Sequence, residues 1–218
     1  MSLKKSSIYF FLLSLPILLI NSSYSNIYLE PYAGIFVNGR IEGDTPSEIE
    51  DLGSAVEGDS EGVFKMTGNF LGARAGLAFG PIALGADVLT SSSLSIDGWS
   101  SGSLSESGVF LAYEFPVLLR VYYTYIVSST LESVDEESVQ TFSQGSGSKL
   151  GLGVTILPLV SINIELKNVT YSEYDYTIDG DSIWDIPAFE LIGVDDDWAD
   201  NQNTLNSLQV SVSFPFDF

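Results

Sequence analysis

The eleven C-terminal residues, Leu208-Gln209-Val210-Ser211-Val212-Ser213-Phe214-Pro215-Phe216-Asp217-Phe218, place a large apolar side chain at every even position. The odd positions are polar or small. A period of two is the repeat of an extended strand, so Leu208, Val210, Val212, Phe214, Phe216 and Phe218 share one face. Segments of about 10 residues with the same alternation recur along the chain between turn signals, which predicts an all-β fold. The competing reading of the last segment alone is the edge strand of a soluble sandwich.

Eight strands are expected. The first covers 28–37, with Leu29, Pro31, Ala33, Ile35 and Val37 opposed to Tyr28, Glu30, Tyr32, Gly34 and Phe36. The second ends at Phe79 and is joined through Gly80-Pro81 to a third that starts at Ile82. The fourth descends from Gly108 to Phe115 and turns at Pro116. The fifth begins at Leu118 and sets Leu118, Arg120, Tyr122 and Thr124 against Leu119, Val121, Tyr123, Tyr125 and Val127. The sixth carries Lys149, Gly151, Gly153 and Thr155 on its inner face and turns at Leu157-Pro158. The seventh alternates Val160, Ile162, Ile164 and Leu166 with Ser161, Asn163, Glu165 and Lys167. The remaining connections are long, acidic or rich in Gly and Ser. They include residues 39–62, the hairpin signal Asp97-Gly98, the Asp135-Glu136-Glu137 top and a loop holding Asp179-Gly180-Asp181. Short turns on one side and long loops on the other, with both termini on the short side, predict an eight-stranded antiparallel up-and-down transmembrane β-barrel.

A soluble barrel of eight strands hides its apolar face, whereas a membrane barrel inverts the arrangement. One face of each strand here is almost purely aliphatic or aromatic. The other carries Glu30, Arg74, Asp87, Glu114, Arg120, Lys149, Glu165 and Lys167 among glycines and serines. Aromatics such as Phe79, Tyr113 and Phe115 stand near strand ends, where a membrane girdle sits. The charged set therefore belongs in the lumen. Folding about the short turns pairs Arg74 with Asp87, Glu114 with Arg120 and Lys149 with Glu165, and sets Glu30 level with Arg74. Each buried charge needs a partner, because an unpaired one costs several kcal/mol. An eight-stranded barrel is filled by its own side chains. A closed lumen is thus expected in preference to an ion path.

The chain has 218 residues and opens with Lys4 and Lys5, then an apolar run from Ile8 to Ile20 and the small-residue site Ser23-Tyr24-Ser25. This predicts a secretory leader over 1–25, cut after Ser25, with the barrel occupying 26–218. Losing Lys4 and Lys5 takes the basic residues from 8 to 6 and the net charge from −21 to −23. That balance excludes nucleic acid as a partner. The chain contains no cysteine and no histidine. Disulfides, thiolate metal sites and histidine-based catalysis are therefore excluded, and no cofactor site is read.

The strand Val210, Val212, Phe214, Phe216, Phe218 resembles the C-terminal strand of bacterial outer-membrane β-barrels, which ends in an aromatic residue. Leu29-Glu30-Pro31-Tyr32-Ala33-Gly34 resembles the first strand of the small barrels of the OmpA, OmpX and OmpW type. The resemblance implies insertion by the barrel-insertion machinery into a Gram-negative outer membrane, among phospholipid and lipopolysaccharide, as a monomer. No peptidoglycan-binding domain follows the barrel, so wall anchoring is not implied. Enzymatic barrels (lipid A acyltransferases and deacylases, phospholipases, omptin proteases) resemble the chain in architecture only, and their mechanisms use a histidine. The expected role is non-enzymatic: a stable barrel presenting acidic loops. The alternative is the passage of small hydrophobic molecules suggested for the OmpW type. It needs an apolar, roomy lumen, to which Tyr32, Phe36, Phe110 and Tyr122 would contribute. In the loops, Asp195-Asp196-Asp197 invites divalent cations, but its spacing fits no EF-hand and a solvated, self-repelling surface is preferred. Trp184, Ile186, Pro187, Phe189, Leu191, Ile192 and Trp198 are read either as a contact surface or as rim packing.

Overall fold

A computed structural model describes residues 26–42, 63–97, 99–135, 138–157, 159–178, 181–182 and 203–218. The leader, the acid-rich centre of the first loop and the Trp184–Trp198 cluster lie outside these residues. The strands are β1 (Asn26–Glu42), β2 (Val63–Phe79), β3 (Ile82–Ile96), β4 (Trp99–Phe115), β5 (Leu119–Asp135), β6 (Ser138–Leu157), β7 (Val160–Tyr171), β8 (Glu173–Ile178), β9 (Asp181–Ser182), β10 (Asn203–Ser213) and β11 (Phe216–Asp217). All pairings are antiparallel.

These segments make eight walls. β8 continues β7 past Ser172, because both pair with β6: β7 along Ser146–Leu157 and β8 along Ser138–Ser143. β11 resumes β10 beyond Pro215 and pairs Phe216 with Leu29 of β1. The order β1-β2-β3-β4-β5-β6-β7-β10 returns to β1, so the sheet closes on itself. The chain's last residue is bonded into the wall: Phe218 and Ile27 exchange two backbone hydrogen bonds of 3.0 Å. Neighbouring walls follow one another in sequence except at the β10–β1 step, which closes the barrel. This is an eight-stranded antiparallel up-and-down barrel.

The three short connections are Gly80-Pro81, Pro116–Leu118 and Pro158-Leu159. Gly80 takes a φ of 60°, which a residue without Cβ adopts at little cost. Leu118 and Leu159 adopt φ of 62° and 74° in the other two turns. Leu118 therefore does not begin the inner face of the fifth wall, as its alternation suggested. It is an exposed turn residue, because the three-residue loop needs a left-handed position to reverse the chain.

The outer surface has two zones. From the short turns upward, the outward residues are apolar: Phe115, Tyr113, Leu111 and Val109 on β4, and Leu166, Ile164 and Ile162 on β7 are all exposed. Above them the walls turn polar, mostly to hydroxyl and amide side chains, with Arg40, Glu42, Lys65 and Glu132 among them. On β4 the series becomes Ser107, Ser105 and Ser101, and on β7 it becomes Asn168. The apolar part of each wall amounts to about 20 Å of height for strands tilted about 40° and rising about 3.3 Å per residue. The strands themselves run 15–20 residues in β3, β4, β5 and β6. About 9–11 residues suffice to cross a membrane. The barrel therefore continues well beyond the band.

The interior changes in the opposite sense. Beside the apolar band it is ionic. Beside the hydroxyl zone it is a packed apolar core that includes Ile41, Met66, Leu94, Ile96, Leu104, Leu131, Phe142, Tyr171 and Leu205. Irregularities in the ladders accompany the change. Register shifts fall between Phe36 and Asn38, Asn69 and Leu71, Ser91 and Leu94, and Ile126 and Ser129. Each extra residue on β1, β3 and β5 moves the next side chain to the other face. The first loop accordingly starts after Glu42 rather than at Gly39, and Ile41 points inward.

The two-zone surface gives a sharp expectation. Leu111→Arg, in the middle of the apolar band, should cost about 2–4 kcal/mol of stability measured by urea unfolding in lipid vesicles. Ser105→Arg, on the same face of β4 but in the hydroxyl zone, should change it by less than about 0.5 kcal/mol.

Candidate functional site: the ionic layer of the lumen

Every wall except β10 contributes a charged side chain to the lumen, and β10 lines it with Ser207, Gln209, Ser211 and Ser213. The glycine-rich alternation of the inner face makes room for large side chains. A Cβ on Gly72 would strike the Tyr32 ring, and one on Gly151 would strike the Tyr122 ring. These two rings then lie flat enough to hold Arg74 between them, with its guanidinium carbon 4.5 Å from the Tyr32 centroid and 4.0 Å from that of Tyr122.

Arg74 is the centre of the layer. It is buried, and its three nitrogens reach three carboxylates: Nη1 to Glu30 at 3.2 Å, Nε to Asp87 at 3.4 Å and Nη2 to Glu165 at 2.8 Å. Lys149 Nζ closes the far side, 2.8 Å from Asp87 and 3.6 Å from Glu165. Arg120 pairs with Glu30, and its Nη1 donates to the Tyr28 hydroxyl at 2.6 Å. Three carboxylates and three cations thus form one balanced cluster. Tyrosine and threonine hydroxyls donate to further carboxylate oxygens, while Glu165 Oε2 has Lys149 at 3.6 Å and no hydrogen-bond donor. Tyr28 donates to Glu30 at 2.7 Å, Tyr32 to Asp87 at 2.6 Å and Thr124 to Asp87 at 3.0 Å, while Tyr122 donates to Glu165. Below the cluster, Tyr28, Ala78, Ala83, Phe110, Ala112 and Tyr122 pack together.

A separate pair lies higher. Lys167 Nζ stands 2.6 Å from Glu106 Oε1, and Ser129 bridges that carboxylate to the Tyr171 hydroxyl. The alternation expected for the fourth strand starts at Gly108 and so leaves out Glu106. Glu106 is two residues earlier on the same inward phase, so extending the alternation through the serines would have found it. Glu114, expected in the lumen, is instead at the lower rim. Its side chain is 46% exposed and 3.9 Å from Arg120. It is followed only by Phe115 before the turn, so no wall rises beside it to enclose it. Four acids still face four bases in the interior, with Glu106 taking the place given to Glu114.

The C-terminal series Val210, Val212, Phe214, Phe216 and Phe218 sits where β10 and β11 meet β1. Val212, Phe214 and Phe218 are exposed on the outside, and the Phe216 and Phe218 rings stack at 6.1 Å. Among the described residues no group of three or more acids forms a metal cage. Asp195-Asp196-Asp197 lies outside them. Among the described residues, each of the buried carboxylates Glu30, Asp87, Glu106 and Glu165 lies against at least one cation, an arrangement that holds walls together.

No family model matches the chain, and no curated protein matches it. Among solved structures, Neisserial surface protein A is similar with a TM-score of 0.47 and 11% identity, over 89% of this chain and 100% of that one. Ail, the attachment invasion locus protein of Yersinia pestis, gives 0.39 and 10% over 88% and 97%. The outer membrane protease OmpT from Escherichia coli gives 0.33 and 9% over 90% and 98%. This chain's own strand pairing and outer face define its architecture.

The Lys167–Glu106 pair offers a test of the paired interior. Lys167→Met alone should destabilise the barrel by about 3–5 kcal/mol, because it leaves a buried carboxylate without its cation. Adding Glu106→Gln should restore most of that loss, as read by urea unfolding in vesicles. Equal losses in the single and double variants would contradict the account.

Proposed function

We propose that the protein is a monomeric barrel of a bacterial outer membrane, with a closed lumen, whose role is to hold its acidic loops rigidly away from the lipid surface. The observation that carries this reading is the filled interior above the apolar band. There the wall is mostly polar outside and packed with aliphatic and aromatic side chains inside. A channel needs the reverse, a wet interior. A stalk needs a solid one.

The same interior supports a non-conducting role over the passage of small hydrophobic molecules. Tyr32, Phe36, Phe110 and Tyr122 could have lined an apolar path. Tyr32 and Tyr122 instead clamp Arg74, Phe36 packs on Phe70 at 4.9 Å, and Phe110 packs on Tyr28 at 5.6 Å. A non-catalytic role follows from the same chemistry, since the chain has no histidine and its interior carboxylates are neutralised in place. The loops that the stalk carries supply most of the net negative charge, including Asp44, Glu48, Glu50, Asp51, Glu57, Asp59 and Glu61 in the first. Their partners are cationic or bridged by divalent cations.

Purified protein in planar bilayers should give no steady ohmic conductance. Stable channels in the wild-type protein would reject the closed lumen. Removing the first and fourth loops should abolish surface binding while leaving the barrel's heat-modifiable gel mobility unchanged.

A further inference from the structure

Arg40 and Lys65 are the two basic residues beyond the leader that do not enter the lumen. They are direct cross-strand partners on β1 and β2, and both point outward. Among the described residues neither has an ion-pair partner. Like charges directly opposite one another on a sheet destabilise it.

Their position explains what they meet. Arg40 pairs across β1–β10 with Asn206, which pairs with Asn168 on β7. The two amides are joined by a 2.7 Å hydrogen bond. A groove of about 550 Å³ runs along this row on the outside of the barrel, with Arg40, Asn168 and Asn206 at its polar end and Leu150, Leu166 and Leu208 at its apolar end. Those leucines belong to the lipid-facing band. The groove therefore straddles the upper edge of the band, on the long-loop side opposite the termini. Glu42, the next outward residue of β1, also borders it, farther from the band.

We propose that this groove binds one phosphorylated glycolipid of the outer leaflet. A phosphate seats between Arg40 and Lys65, where charge-assisted hydrogen bonds replace their mutual repulsion. The free donors and acceptors of Asn168 and Asn206 meet sugar hydroxyls. An acyl chain lies along Leu150, Leu166 and Leu208. The proposal rests on the membrane placement given above and adds a defined lipid site to it. It also explains how a strongly negative protein sits in an anionic leaflet: its outward cations are gathered at one point on the lipid boundary.

The test is native mass spectrometry of the protein purified from membranes in mild detergent. The added probes are diphosphoryl lipid A, its dephosphorylated counterpart, phosphatidylglycerol and inorganic phosphate. Wild-type protein should hold one diphosphoryl lipid A, with inorganic phosphate failing to displace it. The Arg40→Gln/Lys65→Gln variant should weaken this binding about ten-fold or more. Both substitutions are exposed, and the heat-modifiable mobility of the variant verifies its fold. Equal binding by the variant, by the dephosphorylated lipid or by phosphatidylglycerol would overturn the glycolipid site while leaving the barrel in the membrane. A protein that stays monomeric in water without detergent would overturn the membrane placement itself.

Discussion

A charge removed from water must be met by an opposite charge or must not be there. In this barrel the condition is met around Arg74, whose guanidinium reaches carboxylates from β1, β3 and β7. Glu30 and Asp87 are cross-strand neighbours of Arg74, whereas Glu165 stands across the lumen, so this last contact joins parts of the cylinder that no hairpin connects. Lys149 and Arg120 extend the cluster to β6 and β5. The ionic layer acts as an internal brace at the level where the outside offers no aqueous support. Removing any one member leaves its partners as uncompensated charge, which makes the cluster a cooperative unit rather than a sum of pairs.

The same solvent logic explains why the barrel changes character along its height. Where the exterior is apolar, the interior must be polar to keep the alternation of the strands. Where the exterior becomes serine, threonine and asparagine, the alternation carries the apolar residues inward. Bulges in β1, β3 and β5 reset the phase at the crossover, and β6 adds Gln144 with a φ of 50°. The two architectures that compete in the sequence, membrane barrel and soluble barrel, are both present, one above the other. The sheet is continuous between them, so the upper half is as rigidly mounted as the lower.

Much of this was readable from residues. The Gly80-Pro81 turn sets the β2–β3 register, and Arg74 opposite Asp87 follows directly from it. The β4–β5 and β6–β7 turns place Glu114 by Arg120 and Lys149 near Glu165 in the same way. Contacts across the lumen were not readable. Arg74 to Glu165 and Lys149 to Asp87 depend on how the closed sheet is sheared, which hairpin registers do not report. The upper core was also hidden. Ile41, Leu94 and Leu131 fall out of phase with the alternation below them, and only the bulges bring them inward. Serine-rich stretches such as 100–107 look like loop by composition, yet they form wall, because their serines face water while Leu104 and Glu106 face the interior.

The central claim is that one continuous wall passes from lipid to water between Val109 and Ser107. The chain has no native cysteine, so single cysteines can be placed at outward positions 101, 103, 105, 107, 109, 111 and 113 of β4 and spin-labelled in vesicles. Collision with oxygen should dominate at 109, 111 and 113, and collision with a water-soluble nickel chelate should dominate at 101, 103 and 105, with the crossover at 107. Labels accessible to the chelate along the whole strand would contradict the account.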